Sequence, residues 1–348
     1  MKHLILVSPF LLFPLLAIAQ KDHDSFMQEA AALRSKGLYE EAIRKYDSLL
    51  VIDKNDYSAN YEKSYTFWIM KKYDECIRLS KFILENYKEG SANYAVYIQY
   101  GSCLDLTGKP GEALAIYDEG IKKYPATGLL YFNKAITLYG VNRIAEAIET
   151  DKLSIMKNPY HASSHHLLST ALGTSNKVYG LLASLTFLAI EPEGERAQYH
   201  LANAETLIGL NVKKTGEKTT SITLSFPKEE NKDAPDDFHT VEVGMSLSAA
   251  LNESDKNKKE TPVERMYRNL EMVFSSLSTH LGEGKGFGWT YYAAFFSDLY
   301  HKEYLNTFCH IIYSSANNAE NNKWLENNQA KVNEFNDWFK TYAWNNRN

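Results

Sequence analysis

The sequence predicts an all-α protein, a solenoid of about five stacked helical hairpins with a capping helix, followed by a C-terminal helical region. Three observations carry this. The stretch YAVYIQYGSCLDLTGKPGEALAIYDEGIKKYP (residues 94–125) reads as a helix, a tight turn, a second helix and a proline stop. Tyr97, Gly101 and Leu104 share one face of its first helix, Ala113 and Tyr117 one face of its second, and Gly108 and Pro110 lie between. The pattern then recurs. The turn position holds Gly37, Lys71, Gly108, Asn142 and Asn176, at gaps of 34, 37, 34 and 34 residues. The small residue of the first helix is Ala30, Ser64, Gly101, Ala135 and Ser169. Three places on stand Leu33, Phe67, Leu104, Leu138 and Leu172, and the second helix carries Ala42, Cys76, Ala113, Ala147 and Leu181 in one register. Lastly, beyond residue 262 the apolar residues keep a helical spacing but the period stops.

Small residues recur because two helices approach closely only where one side chain is small, and a single hairpin cannot bury its apolar face without a neighbour. The pattern of residues 23–193, about half of the chain, resembles the tetratricopeptide repeat (TPR), a 34-residue helical hairpin. Some positions depart from it. The second repeat carries three extra residues within 87–93 and lacks the glycine. The fourth has Asp151 where an aromatic is usual, and the fifth has Leu181 at the small position and Pro192 one place early. The resemblance implies a right-handed superhelix with a concave face that holds an extended peptide or a helix, and it implies no reaction.

In chain order, residues 1–19 have a short basic start (Lys2), an apolar core and Ala17-Ile18-Ala19 before Gln20. That is the pattern of an export signal cleaved after Ala19. The alternative, a membrane anchor, is disfavoured by an apolar run of only about 16 residues that holds Pro9 and Pro14. The residue immediately after the cleavage site is Gln20, not a cysteine, which argues against a lipid anchor. The expected mature chain starts at Gln20, contains no membrane span and works in the periplasm or outside the cell.

A net charge of −5 offers nothing to nucleic acid. Three cysteines are too few for a disulfide scaffold. Cys76 occupies a small position and Cys103 lies on the next repeat's first helix. Two buried thiols are the favoured reading, and a disulfide stays open in an oxidising compartment. Cys309 is then unpaired.

TPR ligands usually lie against the first helix, at the second, fifth, ninth, twelfth and thirteenth positions of the repeat. Carried onto this sequence, the resemblance gives Tyr61, Tyr65 and Trp68 in the second repeat, Ile98 and Asp105 in the third, and Phe132 and Tyr139 in the fourth. The first gives Met27 and Arg34 and the fifth His166. The wall is aromatic with few charges, and the Lys/Arg/Asn clamp of chaperone-binding TPRs is not visible. Such a wall suits an apolar or extended peptide, because Tyr and Trp supply much of the energy at interfaces. The alternative is that these rings pack against each other or against the C-terminal region.

His161 and His165 are four apart, a spacing that can bind zinc, but there is no HExxH and no nearby Cys or acidic cluster. A helix start in which Ser163 or Ser164 and a His satisfy backbone groups is the expectation. Residues 194–212 read as the capping helix, with Ala197, Leu201, Ala204, Leu207 and Ile208 on its apolar stripe. Residues 213–261 read as a mostly charged, exposed linker with a short helix. A strand-like alternation runs over 221–226 and a solvated loop over 252–261. In the C-terminal region, residues 262–348, helices are expected over 262–281, 289–300, 302–314 and 322–344. That region is either a separate small domain or an extension folded back on the repeats.

Chemistry is sparse. The glycines between Gly282 and Gly288 lack the preceding strand and the Gly-Lys-Ser/Thr ending of a phosphate loop, so a flexible connection is expected. Cys309 and His310 are adjacent and point apart on a helix. Glu320 and Glu326 read as surface acids, and no G-x-S-x-G motif, CxxC pair or matched carboxylate pair stands out. The sequence therefore reads as an exported, non-enzymatic scaffold without cofactor or metal. Its expected partner is a protein or peptide of the cell envelope, held on its concave face. It resembles bacterial envelope TPR proteins more than cytosolic co-chaperones. One rival places an enzymatic or small-ligand activity in the C-terminal region, which needs two or more of His280, His301 and His310 in a polar pocket with an acid. Another has the aromatic groove binding carbohydrate.

Overall fold

The structure, a computed structural model, describes residues 12–87, 94–216, 219–224, 235–254 and 257–344. The start of the expected signal, residues 1–11, lies outside them. The chain divides into two compact units, one ending at Asn142 and the other beginning at Arg143, inside the turn of the fourth expected hairpin.

The first unit contains α1 (Leu12–Ser35), α2 (Tyr39–Ile52), α3 (Tyr57–Ile69), α4 (Tyr73–Asn86), α5 (Tyr94–Leu106), α6 (Pro110–Lys123) and α7 (Gly128–Gly140). The pairs α1/α2, α3/α4 and α5/α6 are the expected hairpins, and each packs on the next. Their turns show why the sequence period is read there. Gly37, Lys71, Gly108 and Asn142 all have positive φ, between 59° and 77°. In the first three turns the next residue's N–H reaches back five residues to a carbonyl, Leu38 to Leu33, Lys72 to Phe67 and Lys109 to Leu104. This left-handed helix stop satisfies the last carbonyls and favours glycine. The small-residue rule also has a direct cause. A Cβ on Gly101 would lie 2.5 Å from the Tyr117 ring. The cores are local, with Ala30, Ala42 and Tyr46 in the first hairpin and Tyr97, Leu104, Ala113, Tyr117 and Leu130 around the third. Between them Cys76 and Cys103 form a disulfide joining α4 to α5, so the favoured reading of two thiols gives way to its alternative.

The second unit contains α8 (Ile144–Lys157), α9 (Ala162–Leu172), α10 (Lys177–Ile190), α11 (Glu195–Gly209), a short hairpin of β1 (Val212–Lys214) and β2 (Thr220–Ile222), and α12 (His239–Ala250). Next come α13 (Pro262–Thr279), a π-helical turn (Gly288–Ala293) leading into α14 (Ala294–His301), α15 (Leu305–Ile312), α16 (Ala319–Asn327) and α17 (Gln329–Lys340). Helix α10 is buried at every residue from Val178 to Ala189. Helices α9, α11, α12, α15 and the π-helical turn all pack on it. One apolar core runs from Ile155 on α8 to Trp344, so the C-terminal helices fold back on the fifth hairpin and its cap. The single expected helix over 322–344 is two helices, broken at Asn328.

The fifth hairpin departs from its expected turn. Asn176 caps α10 through its side chain with φ −138°, and Gly173 takes the positive φ instead. The region expected to be an exposed linker is partly structural. Residues 235–238 lie across the glycine-rich segment, where Asp236 Oδ1 accepts from Gly288 N at 2.7 Å and Pro235 O from Gly286 N at 2.7 Å. A Cβ on Gly284 would meet Trp289 at 2.0 Å, and one on Gly286 would meet Asp236 at 2.1 Å. Gly284, Gly286 and Gly288 are therefore required by close packing, whereas Gly282 has open space around it and holds a positive φ of 100°. The loop expected to be solvated is also tied down. Arg268 bonds Ser248 O, Asn252 and Glu260, and Asn257 is buried.

Candidate functional site: an aromatic helix face in the first unit

Helix α3 starts at Asp56, whose carboxylate accepts from Ala59 N at 2.9 Å. From that start Tyr57, Tyr61, Tyr65 and Trp68 follow at spacings of four, four and three, which is one face of a helix. Their rings pair along that face. Tyr57 and Tyr61 stack with centroids 6.1 Å apart, and Tyr65 and Trp68 stack at 5.7 Å. Trp68 keeps 36% of its surface in solvent. Arg34, from α1, lies with its guanidinium 4.9 Å from the Tyr65 ring centre and is ion-paired with Glu62. It lies against Tyr65 while its charge is matched by Glu62. Burial, reinforced by Glu62, pushes the Tyr61 hydroxyl up to about 12, so it stays a neutral donor and acceptor at physiological pH.

The other expected groove residues divide. Asp105 on α5 accepts from Thr137 Oγ1 on α7 at 3.0 Å and ties the two helices together. Phe132 and Tyr139 on α7 are half-buried. Ile98 and Met27 turn toward the local cores instead. His166 belongs to the second unit. There its Nδ1 lies 2.9 Å from His200 Nε2, and burial together with Arg196 lowers its pKa. Three residues not picked out from the sequence are exposed on this part of the unit: Leu106 at 56%, Leu129 at 38% and Ile136 at 41%. They occupy the thirteenth, second and ninth repeat positions, so the same register rule contains the signal.

In the second unit each of the three histidines of the rival reading has a different partner. His280 pairs with Glu283 at 3.0 Å, His301 with Ser278 Oγ at 2.6 Å, and His310 with Asn321 Oδ1 at 2.7 Å. His165 has both ring nitrogens engaged, by Tyr292 OH at 2.6 Å and Pro159 O at 2.8 Å. His161 contacts Ser164 Oγ at 2.9 Å. Among the described residues no group of three or more His, Cys, Asp or Glu is arranged to hold a metal ion, and no helix is long and apolar enough to cross a membrane.

The hairpins, with their 34-residue spacing, left-handed turns and small-against-aromatic contacts, have the architecture of tetratricopeptide repeats. No family model and no curated protein matches the chain. Solved structures do. YrrB, described as a TPR protein with an unusual peptide-binding site, is 19% identical, with a TM-score of 0.40, over 50% of this chain and 89% of its own. PilF of Pseudomonas aeruginosa is 18% identical, with a TM-score of 0.47, over 54% and 83%. A thermophilic TPR protein of Thermus thermophilus is 12% identical, with a TM-score of 0.43, over 52% and 97%.

Proposed function

We propose that this protein is an exported, non-enzymatic scaffold that binds a protein or peptide of the cell envelope through the aromatic face of its first unit. The observation that carries the reading is the row of rings on α3: they pack on each other, as the alternative expects, yet Trp68 keeps 36% of its surface in solvent, with Arg34 over Tyr65 beside it. Rigid amphipathic rings lose little entropy on binding, and flanking apolar residues such as Leu106, Leu129 and Ile136 extend the surface. A Tyr- and Trp-rich surface with its one arginine already paired favours an apolar or extended segment over a free carboxylate. Export is supported by the basic start, apolar core and Ala-Ile-Ala of residues 1–19. The Cys76–Cys103 disulfide supports it independently, since such bonds persist mainly in oxidising compartments.

The test is capture from the source cell's envelope fraction by residues 20–348, compared with a Tyr61→Ala, Tyr65→Ala, Trp68→Ala variant of equal secondary structure. The reading expects a protein held by the first and lost by the second. Equal capture by both would move the binding surface off α3 and overturn it.

A further inference from the structure

The second unit carries an open cleft of about 850 Å³ between α13, α15 and α16, and nothing above uses it. Its size lies within the range of ligand-binding clefts, about 300–1,000 Å³. Two features give it a chemistry. The first is charge. Glu260, Glu264, Glu271 and Glu320 line it against Lys259 and Arg268, leaving an excess of two negative charges. Arg268 is already spent on Glu260, with Nη2 to Oε2 at 2.7 Å. Burial holds the pKa of His310 below its ordinary value, so its ring adds no positive charge at neutral pH. The second feature is aromatic. Tyr267 and Trp324 line the cleft, and Trp324 is braced on one side by the His310 ring, stacked 3.6 Å away. A small recess of about 80 Å³ adjoins the cleft, sharing Thr261, Val263, His310, Glu320 and Trp324 with it.

We propose that this cleft docks a basic segment of a protein partner, with an arginine or lysine side chain entering beside Trp324 and Glu320. An indole face and a carboxylate together attract a guanidinium or ammonium group, and the face of Trp is the strongest of the aromatic rings for a cation. The open mouth admits a chain passing through, not only a free amine, and the remaining carboxylates, Glu264 and Glu271, flank its path. An acidic partner or a nucleic acid would meet like charge here. This surface is independent of the aromatic face on α3, so the failure of one reading leaves the other standing.

The experiment measures binding of a fluorescent Gly/Ser peptide with arginines at alternate positions, next to its glutamate counterpart, to residues 20–348 at low and high salt. The arginine peptide is expected to bind, to weaken as salt rises, and to bind the Glu271→Gln, Glu320→Gln variant about tenfold less tightly. Both substituted positions are exposed and near-isosteric, so the variant should fold. Adding Glu264→Gln keeps the α13 capping box, because glutamine serves in that role, and should weaken binding further. Trp68→Ala should leave this binding unchanged. Equal binding of the arginine and glutamate peptides, no binding of either, or undiminished binding by the glutamine variants would overturn the proposal.

Discussion

In the first unit, α3 shows half-exposed rings on one face; in the second, α10 has no exposed residue between Val178 and Ala189. Both belong to hairpins with the same spacing. The difference lies in what the sequence offers as a neighbour. Hairpins of the first unit meet other hairpins, so their cores stay small and local, and α3 keeps a partly exposed aromatic face. In the second unit α11, α12 and the helices from α13 onward supply enough apolar surface to enclose a whole helix. The repeat thus yields either an open helix face or the centre of a folded core, depending on what packs against it.

The largest effect should come from opening the enclosed helix. Phe187→Ala removes a fully buried ring that stacks 4.0 Å from His200, and should destabilise the second unit by about 3–5 kcal/mol. Trp68→Ala on the open face should change stability by less than about 1 kcal/mol. Urea unfolding curves of the two variants compare them directly, and similar losses would remove the contrast.

Next in size is the disulfide, which closes a separation of 27 residues within the first unit. Its loss should cost roughly 3–4 kcal/mol on chain-entropy grounds. Reduction, or Cys76→Ala with Cys103→Ala, should expose the amides of α4 and α5 to hydrogen exchange and leave α10 protected.

A comparable effect should follow pH, and its largest part should lie in the second unit. His165 is buried and neutral, with burial lowering its pKa to about 4. The unfolded chain therefore binds the extra proton first as pH falls. The His165 contribution should be full above the ordinary histidine value and fall by on the order of 3 kcal/mol as pH drops from about 6.5 to 4, and His200, lowered by burial in the same way, should add to the loss. Asp151 has the opposite sign. Burial holds its pKa well above the carboxylate range, with the Ser164 hydroxyl opposing. Stability is then complete below the unfolded carboxylate value and declines as pH rises through the raised one, a decline that Asp151→Asn should abolish. Urea midpoints measured across this pH range test both limbs.

The smallest effect concerns a turn. Lys71 holds the left-handed conformation that Gly37 and Gly108 adopt at the equivalent places. Lys71→Gly should stabilise the first unit by up to about 1 kcal/mol, since relief of the strained backbone exceeds the entropy gained by the unfolded chain. A thermal melt that moves downward would show that the lysine side chain contributes more than its backbone strain.

Much of the first unit was legible in the sequence because its signals are local. The residue at each turn, the small residue of each hairpin and the aromatic row of α3 all follow from spacing within one or two helices. Ile98 shared the register of the groove yet packs, half-buried, against the core of Tyr97 and Leu130, a choice made by neighbouring helices that no spacing reveals. The second unit was less legible because its contacts are distant in sequence. Asp236 reaches Gly288, and Tyr160 OH reaches Phe339 O at 2.7 Å. One signal was present. The all-round apolar run of α10, with Leu181 where a small residue belongs, marks a helix covered on every side.

The central claim, that the open face of the first unit receives the partner, is tested most directly by site-specific photocrosslinking. A benzophenone side chain would be placed in turn at Leu106, at Ile136, and at Leu247 on α12, all exposed apolar positions. The account predicts a crosslinked partner from Leu106 and Ile136 that disappears in the Tyr61→Ala, Tyr65→Ala, Trp68→Ala background, and none from Leu247. Capture of that partner from Leu247 alone would contradict it.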